Sequence, residues 1–498
     1  MILAIDQGTT GTTIRITTAQ GQEVGAAYNE FQQFYPRPTW VEHDAMEIWQ
    51  VTQDSILQAL KSAKLTSADI TCIGITNQRE TTVVWHKKTG KPVYNAIVWQ
   101  CRRSATICQK IKALGKADWL HQKTGLMLDA YFCATKLQWL FNEKPELKAL
   151  AEKGELAFGT IDSWLMWKLS NGQAHCTDHS NASRTMLYNI HQQQWDDELL
   201  EFFDIPKSIL PSIKSSAGLF CHSAADGFLG AEIPITGVAG DQQSALFAQQ
   251  CTQAGMIKNT YGTGCFMLMY TGDQAYLSNK GLLTTIACDK NGQPAYALEG
   301  AVFIAGAAVQ WLRDQLELID HASETETLAL SVSDNNGVYF VPAFSGLGAP
   351  HWDMQATGSI TGLTQGCTKA HIVRATLEAI AFQSYDLMQL MQQESSITIK
   401  KLKVDGGACA NNFIMQFQAD LLGVTIERPA NIESTVLGAT ILAAMGQGIW
   451  HAETIPASLY GEIDYFTGNM EQAQGKTLLA GWHSAVNKCL VAKLGCSF

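Results

Sequence analysis

Ile2-Leu3-Ala4-Ile5-Asp6-Gln7-Gly8-Thr9-Thr10-Gly11-Thr12-Thr13-Ile14-Arg15-Ile16 decides the fold of this chain. Two apolar runs, residues 2–5 and 14–16, flank a Gly/Thr turn, so the stretch reads as a β-hairpin. Glycines let a backbone approach an anion closely. Successive N–H groups and threonine hydroxyls supply donors without a fixed charge. The Asp6 carboxylate heads the turn and suits Mg²⁺, which takes oxygen ligands and keeps several waters. Past the midpoint the pattern returns, where Thr260-Tyr261-Gly262-Thr263-Gly264-Cys265 runs into apolar residues 266–269. Each half thus begins with a Gly/Thr hairpin. This points to two related domains, residues 1–249 and 250–498, with polar residues 248–255 as the hinge. Two such turns facing each other would pinch the phosphates of a nucleotide.

Length and composition agree with that division. The 498 residues exceed the size, about 250–300 residues, at which a single core stops growing. A hydrophobic content of 46% excludes disorder as the main state. Lys and Arg number 35 against 46 Asp and Glu, and the net charge of −11 argues against a nucleic-acid groove or an anionic membrane as partner. No stretch approaches the roughly 18–20 uninterrupted apolar residues that cross a bilayer, and no basic leader precedes the first strand. The 13 cysteines include no C-x-x-C pair, and the closest spacings, Cys101/Cys108 and Cys489/Cys496, are too loose for a zinc knuckle. Reduced thiols and a cytoplasmic location are expected.

Between the two turns, residues 71–76 and 233–239 read as buried strands, and residues 45–60, 244–250, 301–316, 372–391 and 412–422 as helices. Strands alternating with helices give an α/β class with mixed sheets. Other nucleotide motifs fail. Gly475-Lys476-Thr477 lacks the earlier Walker glycine, whose place Met470 takes, and Gly262-Thr263-Gly264 continues Cys-Phe-Met instead of completing a dinucleotide fingerprint.

Polar residues at strand ends supply the candidate chemistry, because ligands in α/β proteins gather at the C-terminal ends of strands. Arg79-Glu80 follows the strand at 71–76 and offers fixed donors beside a fixed acceptor, which suits a polyol; a surface ion pair is the plainer reading. Trp99 ends an apolar run and either walls a small pocket or is simply core. Asp241, in Gly240-Asp241-Gln242-Gln243, is placed either to accept a hydroxyl proton or to cap the following helix. Val404-Asp405-Gly406-Gly407-Ala408-Cys409-Ala410-Asn411-Asn412 is a third glycine-rich stretch. There a flat ring could slide against the backbone, or Asn411 could merely cap a helix.

These residues together resemble the FGGY family of carbohydrate kinases, from Asp6 to about Trp450. The segments at 73–82 (Ile-Gly-Ile-Thr-Asn-Gln-Arg-Glu-Thr-Thr) and 94–103 look like the glycerol-phosphorylating members rather than pentulose kinases. Residues 240–243, 259–269 and 404–412 add to the match, and 362–382 is similar to a segment of the wider family. The resemblance implies two actin-like ATPase (ribonuclease H-like) domains flanking a deep interdomain cleft. It also implies ATP-dependent phosphorylation of glycerol to sn-glycerol 3-phosphate, the entry step of glycerol catabolism. Glycerol would be held by Arg79, Glu80, Trp99, Tyr131, Asp241, Gln242 and Phe266, with Asp241 as general base. Asp6 and Asp241 would organise Mg²⁺. ATP phosphates would meet Thr9, Thr10, Thr263 and Gly407, with Gly306, Gln310 and Asn411 around the adenosine. Relatives form homodimers or homotetramers.

Two departures stand out. The arginine usual near the phosphates is missing at Gly11-Thr12-Thr13, and Arg15 is left out of the site. In some bacterial relatives an Arg-containing loop binds fructose 1,6-bisphosphate. Here residues 226–232 carry Glu232 at that place, so weak or no inhibition by the bisphosphate is expected. A kinase for a longer polyol and an ATP-driven clamp of the same fold are the competing readings.

Overall fold

The opening hairpin lies at the heart of a six-stranded sheet in a computed structural model that describes residues 1–353 and 355–490. The sheet runs in the order Ala217–His222, Pro234–Gly240, Cys72–Asn77, Ile2–Gln7, Gly11–Thr17, Glu23–Glu30. Ile2–Gln7 pairs antiparallel with Gly11–Thr17 and parallel with Cys72–Asn77, which sets Asp6 between Thr13 and Thr76. Pro234–Gly240 extends the parallel portion. Every residue of Cys72–Asn77 is buried, as a parallel strand covered on both faces requires.

Side chains alternate across a strand, and the first strand divides accordingly. Leu3 and Ile5 pack with Ile48 and Ile56 of the helix Ala45–Ala63, which Asp44 caps. Ile2 packs with Ile441 and Leu442, and Ala4 with Val436 and Ala439. These last residues belong to the helix Ser434–Gly446, which returns from the second half of the chain to cover the first sheet.

The second sheet has seven strands in the order Leu283–Cys288, Pro294–Val302, Cys265–Gly272, Met256–Tyr261, Lys401–Asp405, Thr425–Pro429, Ile463–Phe466. Its centre repeats the first. Met256–Tyr261 pairs antiparallel with Cys265–Gly272 and parallel with Lys401–Asp405, which in turn pairs parallel with Thr425–Pro429. One face, with Ile257, Met267 and Val404, packs on Val373, Leu377 and Ile380 of the helix Lys369–Ser395. The other face looks toward the first lobe. There Leu268, Tyr270 and Ala297 pack on Leu246 of the helix Asp241–Ala248. The helices Asp241–Ala248 and Ser434–Gly446 therefore lie between the two sheets.

Most helices and strands begin and end within a few residues of their expected places. The helix expected over 301–316 is different. Residues 301 and 302 finish the strand Pro294–Val302, and the helix is Gly306–Asp314. Ala301 and Val302 are apolar enough to continue a helical pattern, but cross-strand pairing with Phe266 and Cys265 claims them. No helix among the described residues is long and apolar enough to cross a membrane. The described cysteines are free thiols; Cys496 lies outside the described residues.

Candidate active site

Arg79 and Glu80 leave the end of Cys72–Asn77 and are 3% and 1% exposed, so they are no surface pair. Nor are they each other's main partner, since their nearest charged atoms stand 4.0 Å apart. Glu80 adopts a left-handed backbone (φ 59°), which turns its carbonyl toward Lys136 Nζ at 2.9 Å. The same ammonium donates to the Tyr131 carbonyl at 2.7 Å, binding the two segments together. The Glu80 carboxylate accepts from Arg184 Nε at 2.5 Å. Arg79 Nε lies 3.0 Å from Asp241 Oδ1, while Nη1 donates to Glu299 Oε2 at 2.5 Å and to Gln243 at 3.3 Å.

Asp241 is the first residue of the helix Asp241–Ala248, and Gly240, not Asp241, holds the N-cap position. Its Oδ1 accepts from the Gln242 N–H at 2.6 Å, and 30% of the side chain stays exposed. Burial raises its pKa above the ordinary carboxylate value, with Arg79 pulling the other way. Gln242 accepts from the Lys258 ammonium, which is wholly buried and also donates to Thr260 at 2.7 Å. Burial lowers the Lys258 pKa. Burial, together with the charges of Asp241 and Glu433, pushes the Asp6 carboxyl up to about 8.

Trp99 joins the acceptor pocket to the first turn, because its Nε1 donates to Thr9 Oγ1 at 3.0 Å. Its ring meets Tyr131 edge-on at 5.5 Å. The turn is held from beneath by Gln78, which donates to the Gly8 carbonyl at 3.0 Å, and by Gln33, which donates to Thr9 at 3.0 Å. His43 Nε2 in turn donates to Gln33 at 2.6 Å. Thr10 stands exposed at the tip. Arg15 is engaged by Glu23 at 2.8 Å on the adjoining strand.

The second lobe brings its own turns together. Gly306 N–H donates to the Gly262 carbonyl at 3.0 Å, and the Ala305 and Ala307 N–H groups donate to the Thr263 carbonyl at 2.9 and 3.0 Å. The Thr263 turn and the start of Gly306–Asp314 thus form one unit, with Gln310 exposed one helical turn on. Gly406 abuts the Tyr261 carbonyl, and next to it a Cβ on Gly407 would meet nothing within 4 Å. That open space over the backbone is what a flat or phosphorylated ligand needs. Asn411 caps Asn412–Leu422 by accepting from Ile414 N–H at 3.1 Å, and its amide donates to Thr325 at 3.1 Å. Phe266 sits opposite Thr260 and Ala301, on the sheet face that turns to the first lobe.

Arg184, Glu299, Lys258 and Lys136 were not singled out in the sequence. Each carries a charge inside an otherwise buried segment, a signal visible in Ala297-Leu298-Glu299-Gly300 and Met256-Ile257-Lys258-Asn259. Burial opposes the Glu299 charge, but Arg184 and Arg79 bring its pKa down to about 2.

Asp6 and Asp241 offer carboxylate oxygens only, and the burial and neighbouring charge that raise the Asp6 pKa are what a Mg²⁺ keeping most of its waters would offset, so the pair fits that ion. No group of three or more His, Cys, Asp or Glu among the described residues could hold a metal by itself.

Paired turns on two similar sheets, with a carboxylate and an arginine between them, define a two-lobed kinase of actin-like fold. Residues 1–248 match the FGGY family of carbohydrate kinases, N-terminal domain, and residues 257–447 its C-terminal domain; the chain belongs to this family. It is 53% identical to a glycerol kinase of Alkaliphilus metalliredigens, over 98% of each chain. Glycerol kinase 2 of Thermotoga maritima is likewise 53% identical, over 98% of each chain. The crystal structure of Plasmodium falciparum glycerol kinase with ADP superimposes with a TM-score of 0.93 at 38% identity, covering 98% of both chains.

Proposed function

We propose that the chain transfers the γ-phosphoryl group of ATP to a terminal hydroxyl of glycerol, giving ADP and sn-glycerol 3-phosphate. The observation that carries this reading is the Arg79–Asp241 contact, 3.0 Å, beside the Trp99–Tyr131 wall. A small triol needs both a donor and an acceptor for each hydroxyl. Arg79 donates, Glu80 and Asp241 accept, Gln242 lines the pocket floor, and the rings of Trp99, Tyr131 and Phe266 cover the carbon chain. An analogue lacking a hydroxyl leaves a buried polar group unpaired, at about 1–3 kcal/mol.

Phosphoryl transfer is mainly positioning and charge stabilisation. Asp241 accepts the hydroxyl proton on its exposed carboxylate, and its raised pKa makes it the stronger base. The N–H groups and hydroxyls of Thr9, Thr10, Thr263 and Gly407 receive the phosphates. Gly306, Gln310 and Asn411 border the base and ribose, Asn411 through its position more than its already engaged amide. Asp6 and Asp241 would hold Mg²⁺, which balances charge on the phosphates when bound. Closure of the lobes excludes water and aligns the acceptor. By analogy with the family, the proposed working state is a cytoplasmic homodimer or homotetramer.

A coupled assay of ADP release, with and without glycerol, tests the reading. ADP release should depend on glycerol; turnover indifferent to glycerol would make the chain an ATP-driven clamp instead.

A further inference from the structure

We infer that Glu299 is a positioning residue for glycerol: reaching from the second lobe, it draws the Arg79 guanidinium off the Asp241 carboxylate and so keeps the acceptor pocket open. Glu299 lies in the strand Pro294–Val302, on the sheet face that looks to the first lobe, and its side chain is 4% exposed. Its Oε2 accepts from Arg79 Nη1 at 2.5 Å, and its Oε1 accepts from Arg79 Nη2 at 3.2 Å and Arg184 Nη2 at 3.0 Å. One carboxylate thus holds two guanidinium groups that would otherwise repel each other. Glu80 steadies Arg184 from its far side.

The geometry at Asp241 shows what this hold achieves. Arg79 Nε is 3.0 Å from Asp241 Oδ1, yet that buried nitrogen makes no hydrogen bond. The planar fork is aimed at Glu299, and Asp241 receives only its charge. Arginine and carboxylate otherwise favour a bidentate pair, among the stronger protein hydrogen-bonding arrangements. Without Glu299, the fork turns onto Asp241, occupies the oxygen that faces the acceptor hydroxyl and withdraws the donor that another hydroxyl requires. Glycerol capture then depends on a residue that touches no glycerol atom and belongs to the opposite lobe. The Glu299 carboxylate bonds to Arg79 and Arg184 rather than to the turns proposed to receive ATP, so the effect should fall on one substrate.

The inference rests on the glycerol reading above. Its test is steady-state kinetics of wild type, Glu299→Gln and Glu299→Asp with each substrate varied in turn. Glu299→Gln should raise the KM for glycerol at least tenfold while the KM for ATP stays within twofold. Glu299→Asp keeps the charge and should recover part of the glycerol KM. An unchanged glycerol KM in Glu299→Gln, equal rises for both substrates, or no recovery in Glu299→Asp would overturn the role. Should Glu299→Gln not fold, Glu299→Asp decides alone: a glycerol KM several-fold above wild type at constant ATP KM supports the role, and parity with wild type removes it. Wild-type ADP release indifferent to glycerol would sink the underlying reading, independently of either variant.

Discussion

Asp241 is asked to be a base and Arg79 a donor, and replacing each should produce a different kinetic defect. Asp241→Asn keeps the shape and the Gln242 contact but cannot take a proton, so kcat should fall by roughly 10²–10⁴, the span for losing a general base. Near-normal turnover in the purified variant would remove Asp241 from that role. Arg79→Ala should chiefly raise the KM for glycerol; an unchanged KM would place Arg79 outside the pocket. Two neighbouring glycines separate backbone need from ligand need. Gly406 has φ 83° and a Cβ there would lie 2.6 Å from the Tyr261 carbonyl, so Gly406→Ala should lower the melting temperature. A Cβ on Gly407 meets no protein atom, so Gly407→Ala should melt like wild type and raise the KM for ATP. Equal melting and equal ATP KM in both variants would deny the distinction. Arg79, Glu80 and Asp241 were legible because each sits where a strand stops. Arg184 and Glu299 were not, because a lone charge within an apolar segment does not name its partners, which lie 104 to 220 residues away. Asn411 was read with both its roles open, and the capping bond to Ile414 is the contact seen.

Elements meet most closely where the helix Ser434–Gly446 crosses the first sheet. A Cβ on Gly74 would stand 2.2 Å from the Ala439 carbonyl, and one on Gly237 would stand 2.2 Å from the Ala443 nitrogen. Glycine at both strand positions lets helix backbone rest on sheet backbone, and Thr236 Oγ1 then donates to the Ala443 carbonyl at 2.8 Å. Gly237→Ala forces the helix outward, an overpacking that typically costs about 1–3 kcal/mol. Its urea midpoint should fall accordingly; a midpoint equal to wild type would show that the helix shifts freely. Short apolar runs were enough to find the strands under this helix. It could not say what covers them, since the covering helix comes some 200 residues after Gly237 and more than 350 after Gly74. The misplaced helix start at 301 has a related cause. Ala301 and Val302 suit either a strand end or a first helical turn, and the choice belongs to the long-range pairing with Phe266 and Cys265. The two Gly/Thr turns were the stronger signal, for their glycines and flanking strands are close together in the chain.

Across the whole molecule, buried ionisable groups set opposing responses to acid, and the first lobe carries both signs. His175 donates from Nε2 to the Phe158 carbonyl at 2.8 Å among the rings of Trp85 and Trp167, and burial lowers its pKa to about 4. Below pH ~6.5 the unfolded chain takes up a proton that folded His175 refuses until about pH 4. The unfolded state then binds more protons, so this group removes stability as pH falls through that window, up to about 3 kcal/mol. Asp162, hydrogen-bonded by Thr177 at 2.6 Å, runs the other way. Burial and the charge of Asp178 raise its pKa to about 7, so the folded protein binds the proton first and gains stability as pH falls from 7 toward 4. Replacing either residue alone should uncover the slope of the other. Urea midpoints at pH 7, 6 and 5 should show the gap between wild type and His175→Gln narrowing with acid, because the variant lacks the penalty. The gap to Asp162→Asn should widen, because that variant lacks the gain. Curves running parallel to wild type for both variants would mean that neither group changes its protonation on unfolding across this range.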